Sequence, residues 1–289
     1  MERRILSFFE DTLRAPFSLH RLVELGSLVQ DRNVGDWYGP ASLAQLFCDL
    51  FKTHTCRADP VLSQFAVYVA RDCCVAVSEV VRLCRWDSVA NPPTVAASAS
   101  SVEGKRLVLL VPLRLGVERL QSCYAAYLRY VLSLKSCVGV MGGRPKHSLY
   151  FCGWHADRLL HLDPHYCHDY VQMTEPRDGA ERRLKDDFDV KSYHSGRIRM
   201  LPFAEMDPSC AVGFVCSSLE EFVQLCLNLK NVVQVDSSIL RQHNGGHWEA
   251  TGRNLYPLFS VMDDYPKLRE LKETPSQEAL RENFGFEVL

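Results

Sequence analysis

Residues 142–165 read GGRPKHSLYFCGWHADRLLHLDPH, and they set both the fold and the chemistry to be expected of this chain. Three runs of strand length, Cys137–Met141, Ser148–Trp154 and Arg158–Asp163, follow one another here. The last two fold back as a hairpin around His155-Ala156-Asp157, with apolar side chains turned inward. The stretch ends in Asp163-Pro164-His165 at a strand terminus. Two residues apart on an extended backbone, Asp163 and His165 leave the same face, their Cα atoms roughly 6.5 Å apart. A carboxylate so placed accepts an imidazole N–H, fixes the tautomer and stabilises the imidazolium formed when the ring acts as a base. That is two thirds of a nucleophilic hydrolase site. Out of context, the same triplet is also an ordinary strand-ending turn, with aspartate capping and proline breaking the ladder.

Outward from this stretch, helices and strands alternate. RAPFSLHRLVELG predicts a helix closing at Gly26, after a shorter one near the start. The segment DRNVGDWYGP is a loop, and ASLAQLFCDLFK a helix begun at Pro40. Gln64–Ala70 and Lys105–Pro112 predict strands; SEVVRLC, Leu120–Leu134 and Leu219–Leu229 predict helices; Met200–Phe203 and Cys210–Cys216 complete the strands. Asn91–Gly104 reads as a surface loop, and Thr174–Asp189 is densely charged. The expected class is α/β, in the α+β sense, with a mostly antiparallel sheet in the C-terminal half. Residues 1–230 form one domain, and 231–289, where the hydrophobic pattern weakens, a C-terminal extension.

Composition narrows the function. A formal net charge of −2 over 289 residues gives no basic excess, so nucleic acid is not an expected partner. No apolar run reaches 18 residues, so no integral membrane segment is expected, and MERRILSFFEDTL lacks the layout of a signal peptide. The twelve cysteines are scattered among apolar neighbours without a Cys-x-x-Cys pair. They read as buried reduced thiols of a cytoplasmic protein.

Five motifs occur in order: RAPFSLHRLVELG, GDWYGP, the GGRP loop with HSLYFCGW, LLHLDPHYC and MDPSCAVGF. Together they resemble the autophagins, the cysteine endopeptidases of autophagy, with the larger metazoan members closest, over roughly residues 1–230. The resemblance implies a papain-like fold and cleavage after the C-terminal glycine of GABARAP-type ubiquitin-like modifiers. It covers both maturation of the precursor and release of the modifier from phosphatidylethanolamine. It assigns the supporting carboxylate and imidazole to Asp163 and His165. It places Trp37 over the scissile glycine and makes Gly142, Gly143, Arg144 and Pro145 a substrate-gating loop, glycines supplying flexibility and proline a stiff tip.

The family's nucleophile lies upstream of GDWYGP in a Gly-Trp-Gly-Cys segment, which occurs nowhere here. The pattern is expected to be N-terminally truncated: a fragment, a shortened non-catalytic binding module for the same modifiers, or an enzyme using another cysteine. Cys73, Cys74, Cys152 and Cys167 are the positional candidates for that thiol, and each reads more simply as a buried or incidental one. His147, His155, His161, His165 and His168 cluster around Cys152, Asp163 and Cys167, ligand types that zinc accepts. Their spacing fits no metal motif, so neither a metal nor a cofactor is expected. At the chain end, Phe286-Glu287-Val288-Leu289 fits an aromatic-x-x-aliphatic peptide that docks by adding a strand, Phe286 and Leu289 filling pockets on a modifier.

Overall fold

The computed structural model describes residues 2–86, 104–168, 170–171, 193–194, 196–229 and 260–262. Its spine is a seven-stranded sheet in the order β1-β3-β8-β4-β5-β6-β7. The strands are β1 (Phe65–Val69), β3 (Arg106–Arg114), β4 (Cys137–Arg144), β5 (His147–His155), β6 (Arg158–Leu162), β7 (Arg199–Pro202) and β8 (Ser209–Cys216). Only β1–β3 is parallel; every other neighbour in this sheet is antiparallel. Past residue 230, β9 (Ser260–Met262) pairs in parallel with β2 (Cys74–Ala76), and Val261 packs against the core. The rest of residues 230–289, including Phe286 and Leu289, lies outside the described residues, as do residues 91–103 and 174–189.

Apolar side chains of the central strands alternate between two covered faces. Leu107, Leu109, Val111 and Leu113 of β3 and Val212 and Phe214 of β8 point into the larger core. There they meet α5 (Val77–Cys84), α6 (Cys123–Ser133) and α7 (219–229). On the other face, Leu110 of β3 and Val67 of β1 pack under Ala44 and Cys48 of α3 (Pro40–Phe51). Pro40 opens α3 at its first turn, where its missing N–H leaves no hydrogen bond unmade.

The N-terminal layer consists of α1 (Glu2–Ser7) and α2 (Leu19–Gln30), followed after α3 by α4 (His54–Ala58). Ser18 caps α2 by accepting from the Arg21 N–H. The helix does not close at Gly26 as its sequence suggests. It runs to Gln30, and Asp31 takes the left-handed turn at φ 51°. Gly26 is needed for another reason: the Tyr38 ring lies against it, and a Cβ there would stand 2.4 Å from the phenol oxygen.

Candidate functional site

The site forms where β5 begins and β6 ends. β6 stops at Leu162, and Pro164 and His165 enter a turn. Asp163 and His165 therefore do not meet by alternation along a strand. Asp163 Oδ1 instead accepts both the His165 main-chain N–H, at 3.0 Å, and the His165 Nδ1–H, at 2.8 Å. The aspartate folds the turn and orients the ring with one oxygen. A carboxylate only accepts, so Nδ1 carries the hydrogen here, and in the neutral ring that leaves Nε2 with its lone pair.

A second imidazole holds the other carboxylate oxygen. His147 Nε2 lies 3.2 Å from Asp163 Oδ2 and, in its neutral form, donates to it. The His147 and His165 rings stack with centroids 4.1 Å apart and planes 22° from parallel. The register explains the meeting. Phe151 pairs with His161 and Tyr150 with Leu162; carried on, that register sets His147 opposite His165. Pro164 ends the ladder before those residues, so side chains rather than main chain make the contact.

Burial alone would raise the Asp163 carboxyl. The His165 main-chain and ring N–H groups, then His147, outweigh it and hold the carboxyl well below the usual carboxylate range. His161, two residues earlier, turns into the core. It is buried, sits edge-on to Phe151 with centroids 6.2 Å apart, and is driven toward its neutral form chiefly by burial. Beyond the pair, Tyr166 lies under the Arg199 guanidinium of β7, 5.3 Å from its ring centroid.

The GGRP segment is not a flexible glycine loop. Gly142, Gly143 and Arg144 are the end of β4, paired with Leu149, Ser148 and His147. Only Pro145 and Lys146 form the turn, Lys146 at φ 63°. The glycines serve close packing: a Cβ on Gly143 would lie 2.1 Å from the His147 carbonyl oxygen, and one on Gly142 would press on Phe151 at 3.1 Å. The MDPSC motif locks this hairpin from the other side, the Asp207 N–H donating to the Gly143 carbonyl at 2.8 Å. Trp37 stands 56% exposed on the segment before α3. Among the described residues, none of the ring contacts joins it to His165.

All twelve cysteines are free thiols. Six are buried, but Cys123, Cys152 and Cys167 are exposed, so the apolar neighbours of Cys152 in sequence do not bury it. Burial pushes the Cys84, Cys210 and Cys216 thiols up to about 12 and raises those of Cys48, Cys56, Cys73 and Cys137. That is the opposite of what a thiolate nucleophile requires. The Cys152 thiol turns to the Leu160 carbonyl, at 3.7 Å. His147, Asp163 and His165 also place metal-ligand atoms within 4.8 Å of one another, the one such group of three among the described residues. Each Asp163 oxygen there already accepts an imidazole N–H, so the carboxylate is satisfied without a cation.

His147 was not among the residues that the sequence marked for the pair. Its signal was the hairpin, which pairs residues before His155 with those after Arg158. Among the described residues no helix is long and apolar enough to cross a membrane.

A family model for the peptidase C54 catalytic domain matches residues 1–228. The chain is 33% identical over 276 residues to "Cysteine protease ATG4C" of Mus musculus, covering 96% of this chain and 52% of the relative. It is 38% identical over 263 residues to "Cysteine protease atg4da" of Danio rerio, 91% of this chain and 45% of the relative. "Cysteine protease ATG4D" of Xenopus laevis is 33% identical over 263 residues, 91% and 48%. The chain thus spans about half the length of the curated relatives it matches. With the family model covering most of its length, and a mixed sheet of the kind a papain-like protease is built on, this chain belongs to the peptidase C54 family, the autophagins.

Proposed function

We propose that this chain carries the imidazole–carboxylate half of a thiol endopeptidase site. That site acts after the C-terminal glycine of GABARAP-type ubiquitin-like modifiers, in the cytoplasm, on both free precursors and phosphatidylethanolamine-linked forms. The observation that carries the reading is the 2.8 Å bond from His165 Nδ1 to Asp163 Oδ1. In the reaction, the outward His165 Nε2 takes the proton from the thiol and later returns it to the leaving amine. Asp163, kept ionised, stabilises the imidazolium between those steps. In this reading Trp37, 56% exposed on the segment before α3, and the Gly142–Pro145 hairpin form the entrance, the indole lying over the scissile glycine where a larger side chain would meet it. The tight packing of Gly143 makes the hairpin a firm wall.

Among the described residues, burial raises the thiols of Cys84, Cys210 and Cys216 and those of Cys48, Cys56, Cys73 and Cys137. They favour a second reading, in which the 289-residue polypeptide grips the modifier without cutting it. Residues Phe286 and Leu289 add a docking peptide in that reading. Removing one member of a catalytic unit generally costs several orders of magnitude in rate. The purified chain is therefore expected to leave a GABARAP-type precursor uncut in a mass-spectrometric assay, while calorimetry registers saturable binding. Binding that survives deletion of residues 286–289 favours the groove, and binding lost with that deletion favours the tail. Cleavage by the chain would refute the assignment of the thiols, and no binding at all would refute both readings.

A further inference from the structure

His147 lies outside the Asp-Pro-His triplet, yet it touches both members of the pair. The His165 main chain and ring both use Asp163 Oδ1, and among the described residues His147 is the hydrogen-bond partner of Oδ2. The terminal torsions of aspartate and histidine are broad and roughly two-fold, so rotamer preference does not fix either group. A half-turn of the His165 ring would put a carbon where Nδ1 now donates. Two contacts oppose that half-turn: the stacked His147 ring at 4.1 Å on one side and a carboxylate pinned at both oxygens on the other.

We propose that His147 is a positioning residue: by donating to Asp163 Oδ2 and backing the His165 ring, it keeps Nδ1 on Asp163 and Nε2 facing outward. The placement is built into the fold. The Pro145–Lys146 turn sets His147 across from Arg144, and the absence of a side chain on Gly143 lets the His147 carbonyl approach. The β5–β6 register then brings the ring opposite His165. The inference rests on the reading of Asp163 and His165 as the protease pair.

The test follows the tautomer of His165 in the full chain, using 15N-labelled histidine and long-range proton–nitrogen spectra recorded above the ring's own titration midpoint, which the same spectra report. The wild-type ring is expected mainly as the Nδ1–H form. His147→Ala is expected to lower the ratio of Nδ1–H to Nε2–H about threefold, the size of one partly exposed hydrogen bond. His147→Gln, whose amide reaches the same oxygen, is expected to restore most of it, which a merely space-filling role would not. An unchanged ratio in His147→Ala, with a collapsed ratio in Asp163→Asn, overturns the role of His147 and leaves the pair intact. An unchanged ratio in Asp163→Asn overturns the pair itself. Should His147→Ala fail to fold, His147→Phe decides: it keeps a ring but no donor, and a wild-type ratio there contradicts the inference.

Discussion

The sheet and the N-terminal helices bury their apolar residues to very different extents. In the sheet, Leu107, Leu109, Phe151 and Phe214 are essentially inaccessible, and helices cover both faces of the central strands. Around α1 and α2, Leu13, Leu19, Leu28 and Val34 are 73%, 69%, 76% and 86% exposed. That layer hangs on an aromatic knot in which Phe17 meets Phe9, Phe47 and Phe51. The Asp163–His165 pair grows from the tightly packed half, whereas Trp37 sits beside the loosely covered one. The two sides of the proposed entrance should thus differ in how firmly they are held.

The largest expected contrast is thermodynamic. Phe151→Ala in the core should cost about 3–5 kcal/mol by denaturant titration, and Phe9→Ala, 48% exposed, no more than about 1 kcal/mol. Equal losses would erase the difference between the halves. Gly143→Ala comes next. Its new methyl has no room beside the His147 carbonyl, so a loss of about 1–3 kcal/mol is expected. Shifted His147 and His165 ring signals should accompany it; a silent substitution would show that the hairpin gives way easily.

A smaller effect concerns acid. The Asp163 carboxyl lies below its ordinary value of 3.8 in the folded protein. Its contribution is therefore full above that unfolded value and is lost as pH falls through the window beneath it. The stability gap between the native protein and Asp163→Asn should narrow as pH drops below about 4, as read from melting temperatures. A gap that stays constant would mean the carboxylate gains nothing from its imidazoles. Smallest of all, Leu28→Lys should change stability by less than about 0.5 kcal/mol. It should nonetheless lower any concentration-dependent light scattering, because Leu28 is 76% exposed.

Much of this was legible in the sequence, because strand alternation and Pro/Gly punctuation are local signals. The 155–157 hairpin and the Pro40 helix start are present where their residues place them, and Asp163 and His165 do meet, though through a turn rather than by alternation along a strand. What escaped was set by neighbours distant in sequence. The role of Gly26 depends on Tyr38, and that of Gly143 on the His147 carbonyl. His147 itself depends on a single irregularity. The turn pairs His155 with Arg158, which carried back unbroken would set His147 opposite Tyr166. A one-residue bulge between Phe151 and Gly153 shifts the register and brings it opposite His165 instead. Sequence period alone cannot reveal a one-residue slip of this kind, and such a slip exchanges one face for the other.

The most direct measurement titrates an unlabelled GABARAP-type precursor into the chain carrying 15N-labelled histidine and tryptophan. The Trp37 indole and the His165 ring should shift together and saturate at one equivalent, with the precursor still full length. Saturable binding that left both signals unmoved would contradict a shared entrance built from the two halves of the molecule.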